Sequence, residues 1–258
     1  DRSKISKRKN PVSLIWYKEE GYLKEGLVNF LGLMGYSYGD GQEIFSLQEF
    51  KDNFNIDKVT LGGPVFDLVK LGWVNNQHMK MKDLGELTRL TIPFFVQEGY
   101  FENENVSEKE FETLKKIVAI EREGAKTLKE IAKNSKFFFI DEFTLPEVKE
   151  DMDKKERKSI EKLLNSLQDE VGLKAIKLLI DKLEKWESNE FTAEEAKDLL
   201  HSLLDDLQEG PGKVFMPIRA VLTGEPKGAD LYNVLYVIGK ERALKRIKDT
   251  VKKYNIGL

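Results

Sequence analysis

The first ten residues of the chain combine the side-chain types that bind phosphate most readily. Five of them are basic and one is acidic, and a single apolar residue, Ile5, stands among them. A segment this polar cannot bury itself, so we expect a mobile surface loop. Lysine offers phosphate a compact point charge and arginine offers it a bidentate fork. The composition alone leaves two interpretations open, a phosphate-binding loop and an ordinary solvated terminus.

The chain behind this segment carries the signals of helices. Apolar residues recur at helical spacing, as in Leu27, Phe30, Leu31 and Met34. Four segments begin with a serine or threonine followed three residues later by glutamate, the spacing of a capping box. These capping residues are Ser46, Ser107, Thr127 and Thr192. No segment of more than a few residues alternates with period two, and neither a βαβ unit nor a glycine-rich nucleotide loop is found. The sequence therefore predicts a mostly all-α fold.

The periodicity also places individual helices. It predicts helices over 12–20, 24–34 and 82–97, a helix from Pro64 to about Asn75, and helices over 214–222, 230–238 and 240–254. In the helix over 82–97, one side is formed by Leu84, Leu87, Leu90 and Thr91. The run Phe137-Phe138-Phe139 lacks flanking arginines, so we expect a buried junction rather than a platform on which bases stack.

The composition excludes several classes of protein. With 34% charged and 40% hydrophobic residues, the chain has an ordinary globular composition. No run of about 18 apolar residues exists, so no membrane span is predicted. The basic terminus has no apolar core behind it, so we predict no secretory signal and a cytoplasmic protein. Zero cysteines exclude thiolate metal sites, and two histidines argue against a zinc centre, so we predict no metal site.

The charge is distributed unevenly along the chain. The formal net charge of −3 argues against a protein that coats nucleic acid, but both ends are basic. Residues 240–258 carry seven basic and two acidic side chains. This distribution fits a protein that touches a polyanion at separate places, although a charge run on a helix is usually a solvated face.

The order Lys4-Ile5-Ser6-Lys7-Arg8 resembles the second signature of class I aminoacyl-tRNA synthetases, in the form used by glutamyl-tRNA synthetases. The resemblance continues in order along the chain, through residues 10–11, 17–23, 27–36, 45–47, 63–67, 70–75, 217–224 and 238–244. Since these blocks span both ends, the chain resembles the C-terminal half of the bacterial type of this family.

The resemblance implies that successive parts of the chain have different functions. Residues 1–81 would hold the signature loop and a helical stem-contact region, and residues 82–187 and 188–258 would form two helical-bundle anticodon-binding domains. The complete enzyme would use ATP and Mg²⁺ to form glutamyl adenylate and would pass glutamate to tRNA(Glu). We expect a monomer whose N-terminal nucleotide-binding domain is missing from this sequence.

The resemblance also assigns roles to the loop. Lys7 and Lys4 would be catalytic, because a cation beside the departing pyrophosphate stabilises the charge that grows there. ATP would be bound by Lys4, Ser6, Lys7 and Arg8. The family's first signature contains two histidines, whereas His78 and His201 stand in other contexts. We therefore expect the chain alone to bind no cofactor and to be inactive.

Two further places would read the anticodon. Arg219, Gly228 and Leu231 align with family positions that contact it, although Arg219 could instead cap a helix or pair with an acid, and Leu231 could be a core leucine. Some members place an arginine before the helix that follows Thr127, where it excludes the wrong third base.

In this chain Gly124 aligns with that arginine, and Arg122 precedes it by two residues. We hypothesise a non-discriminating enzyme that also serves tRNA(Gln). The alternative is a non-catalytic helical scaffold, a paralogue that has lost RNA binding.

Overall fold

The computed structural model describes residues 13–37, 41–59, 62 and 65–258. The chain divides into two compact units, Asp1–Ser135 and Lys136–Leu258. The described residues form helices joined by loops and contain no strand, only one isolated bridge between Tyr36 and Val59. The predicted mostly all-α fold is confirmed.

The first unit contains seven α-helices in its described part, with a short 3-10 helix at Ile56–Lys58 between the third and the fourth. They are α1 (Leu14–Glu19), α2 (Lys24–Gly35), α3 (Leu47–Asn53), α4 (Leu68–Met81), α5 (Leu84–Gln97), α6 (Glu108–Glu121) and α7 (Leu128–Asn134). A core of Tyr17, Phe30, Leu71 and Val74 joins α1, α2 and α4. Reciprocal capping boxes open α3 at Ser46 and α6 at Ser107, as predicted.

The third predicted capping box forms differently. The side chain of Thr127 accepts a hydrogen bond from the backbone N–H of Glu130, as expected. The carboxylate of Glu130, however, accepts from the N–H of Lys126 at 2.7 Å. The helix start is therefore capped, but the return bond reaches one residue further back along the chain.

The predicted stripe on α5 was wrong at one position. Leu90 is 40% exposed, whereas Leu87, Thr88 and Thr91 are fully buried. The two threonine hydroxyls donate to the carbonyls of Leu84 and Leu87, so they enter the core with their hydrogen bonds satisfied. The buried face is thus centred on Thr88 and Thr91, and Leu90 lies outside it.

The second unit contains six helices. They are α8 (Lys136–Phe139), α9 (Lys154–Ser166), α10 (Glu170–Lys185), α11 (Ala193–Leu207), α12 (Pro211–Thr223) and α13 (Leu231–Lys253). A capping box opens α11 at Thr192, as predicted. Phe137 and Phe138 of α8 are buried, which confirms the predicted buried junction for these two side chains.

Gly239 divides α13 into two helical segments. Its backbone has φ 74° and ψ 174°, outside the helical region. Asn189 supports the break, because its carbonyl accepts from the N–H of Lys240 at 2.8 Å and its Oδ1 accepts from the N–H of Glu241 at 2.9 Å. The two segments predicted over 230–238 and 240–254 are therefore confirmed.

Candidate nucleic-acid interface

The backbone conformation of Gly224 fixes the direction of the turn that follows α12. The helix ends at Gly224, whose φ of 69° lies in the left-handed region. A Cβ at this position would lie 2.5 Å from Cδ2 of Phe143, so only glycine fits. The hydroxyl of Thr223 donates to the carbonyl of Arg219 at 2.9 Å. The chain therefore leaves α12 in one direction and returns to α13 past Arg219.

Arg219 lies half-buried on the last turn of α12, beneath the returning loop. Its Nη2 donates to the carbonyl of Ala229 at 2.8 Å. Burial lowers the pKa of the guanidinium, while the nearby Asp230 carboxylate opposes this shift. An arginine remains charged in a protein, so a cation with five N–H donors stands against the loop.

The two other predicted residues of this site differ in accessibility. Gly228 has φ 140°, and a Cβ there would lie 3.3 Å from Cε1 of Phe137 and 3.7 Å from Nη1 of Arg219. Gly228 therefore brings the backbone of the loop against the arginine. Leu231 is the first residue of α13 and is 5% exposed, so its side chain belongs to the core. The structure brings Arg219 and Gly228 together, and their contact with a base stays a prediction.

A groove that the sequence did not reveal runs along the same loop. Its volume is about 360 Å³, and it is lined by Asp153, Lys155, Glu156, Ser159, Glu225, Pro226 and Lys227. The carboxylate of Asp153 accepts from the N–H groups of Lys155 and Glu156 and so begins α9. Lysine ammonium groups can bind phosphate, and free carboxylates can accept from the amino groups of bases. In the sequence, Lys227 stands beside Gly228, but a lysine next to a glycine is too common to predict a binding groove.

The second predicted place is the turn that follows α6. The side-chain nitrogen of Asn76 donates to the carbonyls of Arg122 and Ala125, at 2.8 and 2.7 Å. These bonds hold the turn in shape. At the exposed Gly124, a Cβ would meet no atom within 4 Å, so a larger side chain has space there. Nε of Arg122 is buried without a hydrogen-bond partner in the described chain and lies 3.9 Å from Oε1 of Glu123.

Glu121 is a buried acid beside this turn that the sequence analysis missed. Oε1 of its carboxyl group has no hydrogen-bond partner among the described residues. Burial raises the pKa of Glu121 to about 7, although a hydrogen bond from Asn134 opposes the shift. A glutamate at the end of a polar helix gives no sequence signal of burial.

The remaining predicted site residues cannot be placed. Lys4, Ser6, Lys7 and Arg8 lie outside the described residues.

The described residues offer no metal site and no membrane span. His78 is buried, with Nε2 2.8 Å from Oδ1 of Asn29, and burial lowers its pKa. Within residues 13–37, 41–59, 62 and 65–258, no three His, Cys, Asp or Glu side chains are grouped as metal ligands. No helix of this part is long and apolar enough to span a membrane.

Most of the basic residues near the C-terminus are bound within their own unit. Arg242 and Arg246 both pair with Asp141, at 2.7 and 3.0 Å. Arg246 is 1% exposed and also donates to the carbonyl of Phe137 at 2.7 Å. Lys245 pairs with Asp249 at 2.7 Å, and Lys248 pairs with Glu184 at 2.6 Å. These four charges are therefore partly or wholly neutralised, which leaves fewer cations on α13 for phosphate than the sequence suggested.

Comparisons with known families match both parts of the chain. The family model described as "Anticodon binding domain" matches residues 86–251. The model described as "tRNA synthetases class I (E and Q), catalytic domain" matches residues 1–73. The first match contains Arg122, Gly124, Arg219, Gly228 and Leu231.

Individual relatives agree with these matches. A glutamate–tRNA ligase of Fusobacterium nucleatum is 89% identical over 258 residues, which are 100% of this chain and 51% of that protein. A glutamate–tRNA ligase of Thermus thermophilus is 37% identical over 250 residues, 96% of this chain and 48% of that protein.

A solved structure shows the same fold. The crystal structure of a glutamate tRNA ligase from Elizabethkingia meningosepticum, in complex with its amino acid, matches with a TM-score of 0.74 and 28% identity. The match covers 97% of this chain and 48% of that one. The chain thus spans about half the length of the proteins that it matches.

Proposed function

Because the chain belongs to the glutamate–tRNA ligase family, we propose that it is the tRNA-recognising half of such a ligase. Residues 1–81 would form the ATP loop and the stem-contact region, and residues 82–187 and 188–258 the two anticodon-binding domains. The observation that carries the proposal is the anticodon-binding match over residues 86–251, which includes the turn at Gly124 and the loop held against Arg219. The family assignment gives the alternative, a helical scaffold, no support.

The full-length protein would join glutamate to tRNA(Glu) in two steps. The glutamate carboxylate attacks the α-phosphorus of ATP, so that glutamyl adenylate forms and pyrophosphate leaves. A hydroxyl of the terminal ribose of the tRNA then attacks the adenylate, and AMP leaves. Lys7 and Lys4 would stabilise the charge on the departing pyrophosphate, with Ser6 and Arg8 holding the phosphates. Mg²⁺ would accompany ATP, and we assign no residue of this chain to it.

Arg219 and its loop would read one part of the anticodon. Anticodon bases lie in a single-stranded loop, where they can be splayed out and bound on their edges by side chains. The guanidinium offers a planar fork of donors to a base or phosphate, and Gly228 leaves room for close approach. The groove lined by Lys155 and Lys227 adjoins this loop and would receive a neighbouring nucleotide. We propose a monomer that acts in the cytoplasm.

The salt dependence of tRNA binding tests this function against the scaffold. Phosphate contacts release counterions, so the affinity of the chain for tRNA(Glu) should fall steeply as salt increases. A filter-binding titration of unmodified tRNA(Glu) at several salt concentrations measures this dependence. No measurable affinity at low salt would reject tRNA recognition and would support a scaffold.

Gly124 would leave the third anticodon base unread. We propose that the chain therefore accepts tRNA(Gln) as well as tRNA(Glu), since the open space at Gly124 offers no group that could exclude the wrong base. We predict that Gly124→Arg lowers the affinity for tRNA(Gln) more than the affinity for tRNA(Glu). The new arginine fits without a clash, so the change should act at the RNA and not on the fold.

Competition between the two tRNAs measures this preference. Gly124→Ala is the matched control, because it adds a side chain without a charge and should bind both tRNAs as the wild type does. A strong wild-type preference for tRNA(Glu) that Gly124→Arg leaves unchanged would remove the idea.

A further inference from the structure

Exposed apolar side chains are concentrated in one part of the chain. The described residues expose 15 large hydrophobic side chains, and 12 of them lie between Leu14 and Met81. The remainder of the chain, residues 82–258, exposes only Leu90, Val148 and Leu258. Large groups of exposed apolar residues mark contact surfaces of proteins. We therefore expect a protein contact surface between Leu14 and Met81.

The α4 helix shows this feature most clearly, because it carries large apolar side chains on its exposed side as well as on its buried side. Leu71, Val74 and Met79 face the core and are fully buried. Val69, Trp73 and Met81 are 70%, 41% and 67% exposed. Val69 and Trp73 are four residues apart and neighbour each other on the helix surface. Met81 follows eight residues after Trp73, past Gln77, so the three side chains form an oblique stripe that is about 18 Å long and winds about a third of the way around the helix. We call Val69, Trp73 and Met81 the α4 stripe.

Large apolar side chains that are exposed close together on a surface mark a place where another protein surface binds. The two lysines of α4 that adjoin the stripe are already paired, Lys70 with Glu43 at 2.6 Å and Lys80 with Glu123 at 2.9 Å. The Lys70 ammonium also lies 4.3 Å from the centre of the Trp73 ring. An apolar stripe between neutralised lysines suits protein and offers little to the phosphates of an RNA.

The family matches provide a candidate for the protein that covers it. The class I catalytic-domain model matches residues 1–73, and so extends into α4 as far as Trp73. The relatives are about twice as long as this chain. We propose that the α4 stripe is the surface on which the nucleotide-binding half of the full-length ligase packs. This inference rests on the proposed function, which supplies that half.

The opposite side of α4 holds the turn that contains Gly124, so packing at the α4 stripe would be linked to that turn. The side chain of Asn75 accepts from the N–H of Leu23 at 2.8 Å and donates to the carbonyl of Lys126 at 2.7 Å. Asn76 holds the carbonyls of Arg122 and Ala125. One helix therefore carries the catalytic half on one side and the turn of Gly124 on the other. The α4 helix would connect adenylate formation to the place where the third anticodon base is met.

Oxidation of exposed side chains by hydroxyl radicals tests the proposal without any tRNA. Tryptophan and methionine react readily, so Trp73 and Met81 report on the stripe directly. The two proteins compared are the 258-residue chain, whose units each have a core, and the full-length ligase. We expect Trp73 and Met81 to be oxidised several times more slowly in the full-length protein, with Met152 of the second unit serving as the unchanged reference.

Two variants distinguish the loss of packing at the α4 stripe from a general loss of stability. In the full-length ligase, Trp73→Glu should restore the oxidation of Met81 and should lower aminoacylation about tenfold or more, the usual effect of losing a central interface tryptophan. Binding of tRNA(Glu) to this variant should change little. Leu90→Glu is the matched control, because Leu90 is equally exposed on α5 and lies outside the stripe.

Three results would overturn the proposal. Equal oxidation of Trp73 and Met81 in the two proteins would show that nothing in the preceding half covers the stripe. Protection that appears only with tRNA would assign the stripe to RNA, and protection that grows with protein concentration would assign it to a second copy. A full-length protein that protects the stripe but binds no tRNA would reject the proposed tRNA recognition and leave the packing surface intact.

Discussion

Glu121 carries a carboxyl group that burial has removed from water at the end of α6. It is 9% exposed, and its pKa is raised to about 7. Its neighbour Arg122 has a buried Nε with no partner in the described chain, so two polar groups beside the Gly124 turn are incompletely satisfied. Buried polar groups of this kind destabilise a fold and are retained where they serve another purpose.

We predict that Glu121 makes the stability of the chain depend on pH. In the unfolded chain Glu121 loses its proton near pH 4.5, and in the folded chain it does so near pH 7. The folded state therefore binds more protons between these values, so stability falls as pH rises through this window. The difference between the two pKa values corresponds to about 3 kcal/mol.

The Glu121→Gln variant removes this titration. It should be more stable than the wild type at pH 7.5, and its stability should depend less on pH between 5 and 7.5. Urea unfolding at several pH values measures both quantities. Glu104→Gln, at an exposed loop position, should behave as the wild type, and a Glu121→Gln chain whose stability falls with pH as steeply as the wild type's would contradict the prediction.

The positions of residues were predictable where the chain order alone fixed the neighbours, whereas their roles stay predictions. The resemblance assigned Arg219 and Gly228 to one site, and the structure brings them together because a short loop returns past the helix that precedes it. Arg246 was counted among solvent-facing charges, yet it is buried against Asp141. Its partner lies 105 residues away along the chain, so no local pattern could reveal the contact.

At the scale of elements, the break in α13 decides the direction of the last helix. The positive φ of Gly239 and the close approach of Asn189 both require glycine. A Cβ at Gly239 would lie 2.7 Å from the carbonyl oxygen of Asn189. The cap that Asn189 provides for Lys240 and Glu241 would be lost if the backbone moved away.

We predict that Gly239→Ala destabilises the chain by about 2 kcal/mol or more, since it adds backbone strain and weakens a cap. Thermal or urea unfolding measures the effect. Gly212→Ala is the matched control, because Gly212 lies inside α12 with its nearest atom 3.9 Å from the new Cβ. This control should be neutral or stabilising, since alanine favours a helix by about 0.5–1 kcal/mol over glycine. Equal stabilities of the two variants would contradict the role of Gly239.

Helix starts were more predictable than helix faces. The boxes at Ser46, Ser107 and Thr192 were confirmed because a cap depends on residues three positions apart. The prediction that Leu90 lies on the buried face of α5 was wrong. Thr88 and Thr91 occupy that face, because their hydroxyls donate hydrogen bonds to backbone carbonyls of the same helix. The exposure of one apolar face of α4 could not be predicted, since only tertiary packing distinguishes it from the other.

At the scale of the whole molecule, the chain forms two compact units. The predicted first anticodon-binding domain, 82–187, spans the break between Ser135 and Lys136, and its boundaries stay a prediction. Four of the basic residues on α13 are paired within the second unit. Recognition of tRNA by that unit should therefore depend on a few placed cations, with Arg219 foremost, more than on a broad basic surface.

Filter binding of tRNA(Glu) to Arg219 variants tests this account most directly. We predict that Arg219→Ala weakens binding about tenfold or more, the usual cost of removing an arginine that contacts a base. Arg219→Lys should fall between, because lysine keeps the charge and loses the fork.

Lys174→Ala, which removes an exposed and paired cation of α10, is the control and should bind as the wild type does. Thermal midpoints measured alongside show whether each variant is folded. Folded Arg219→Ala that binds tRNA(Glu) as tightly as the wild type would contradict the account.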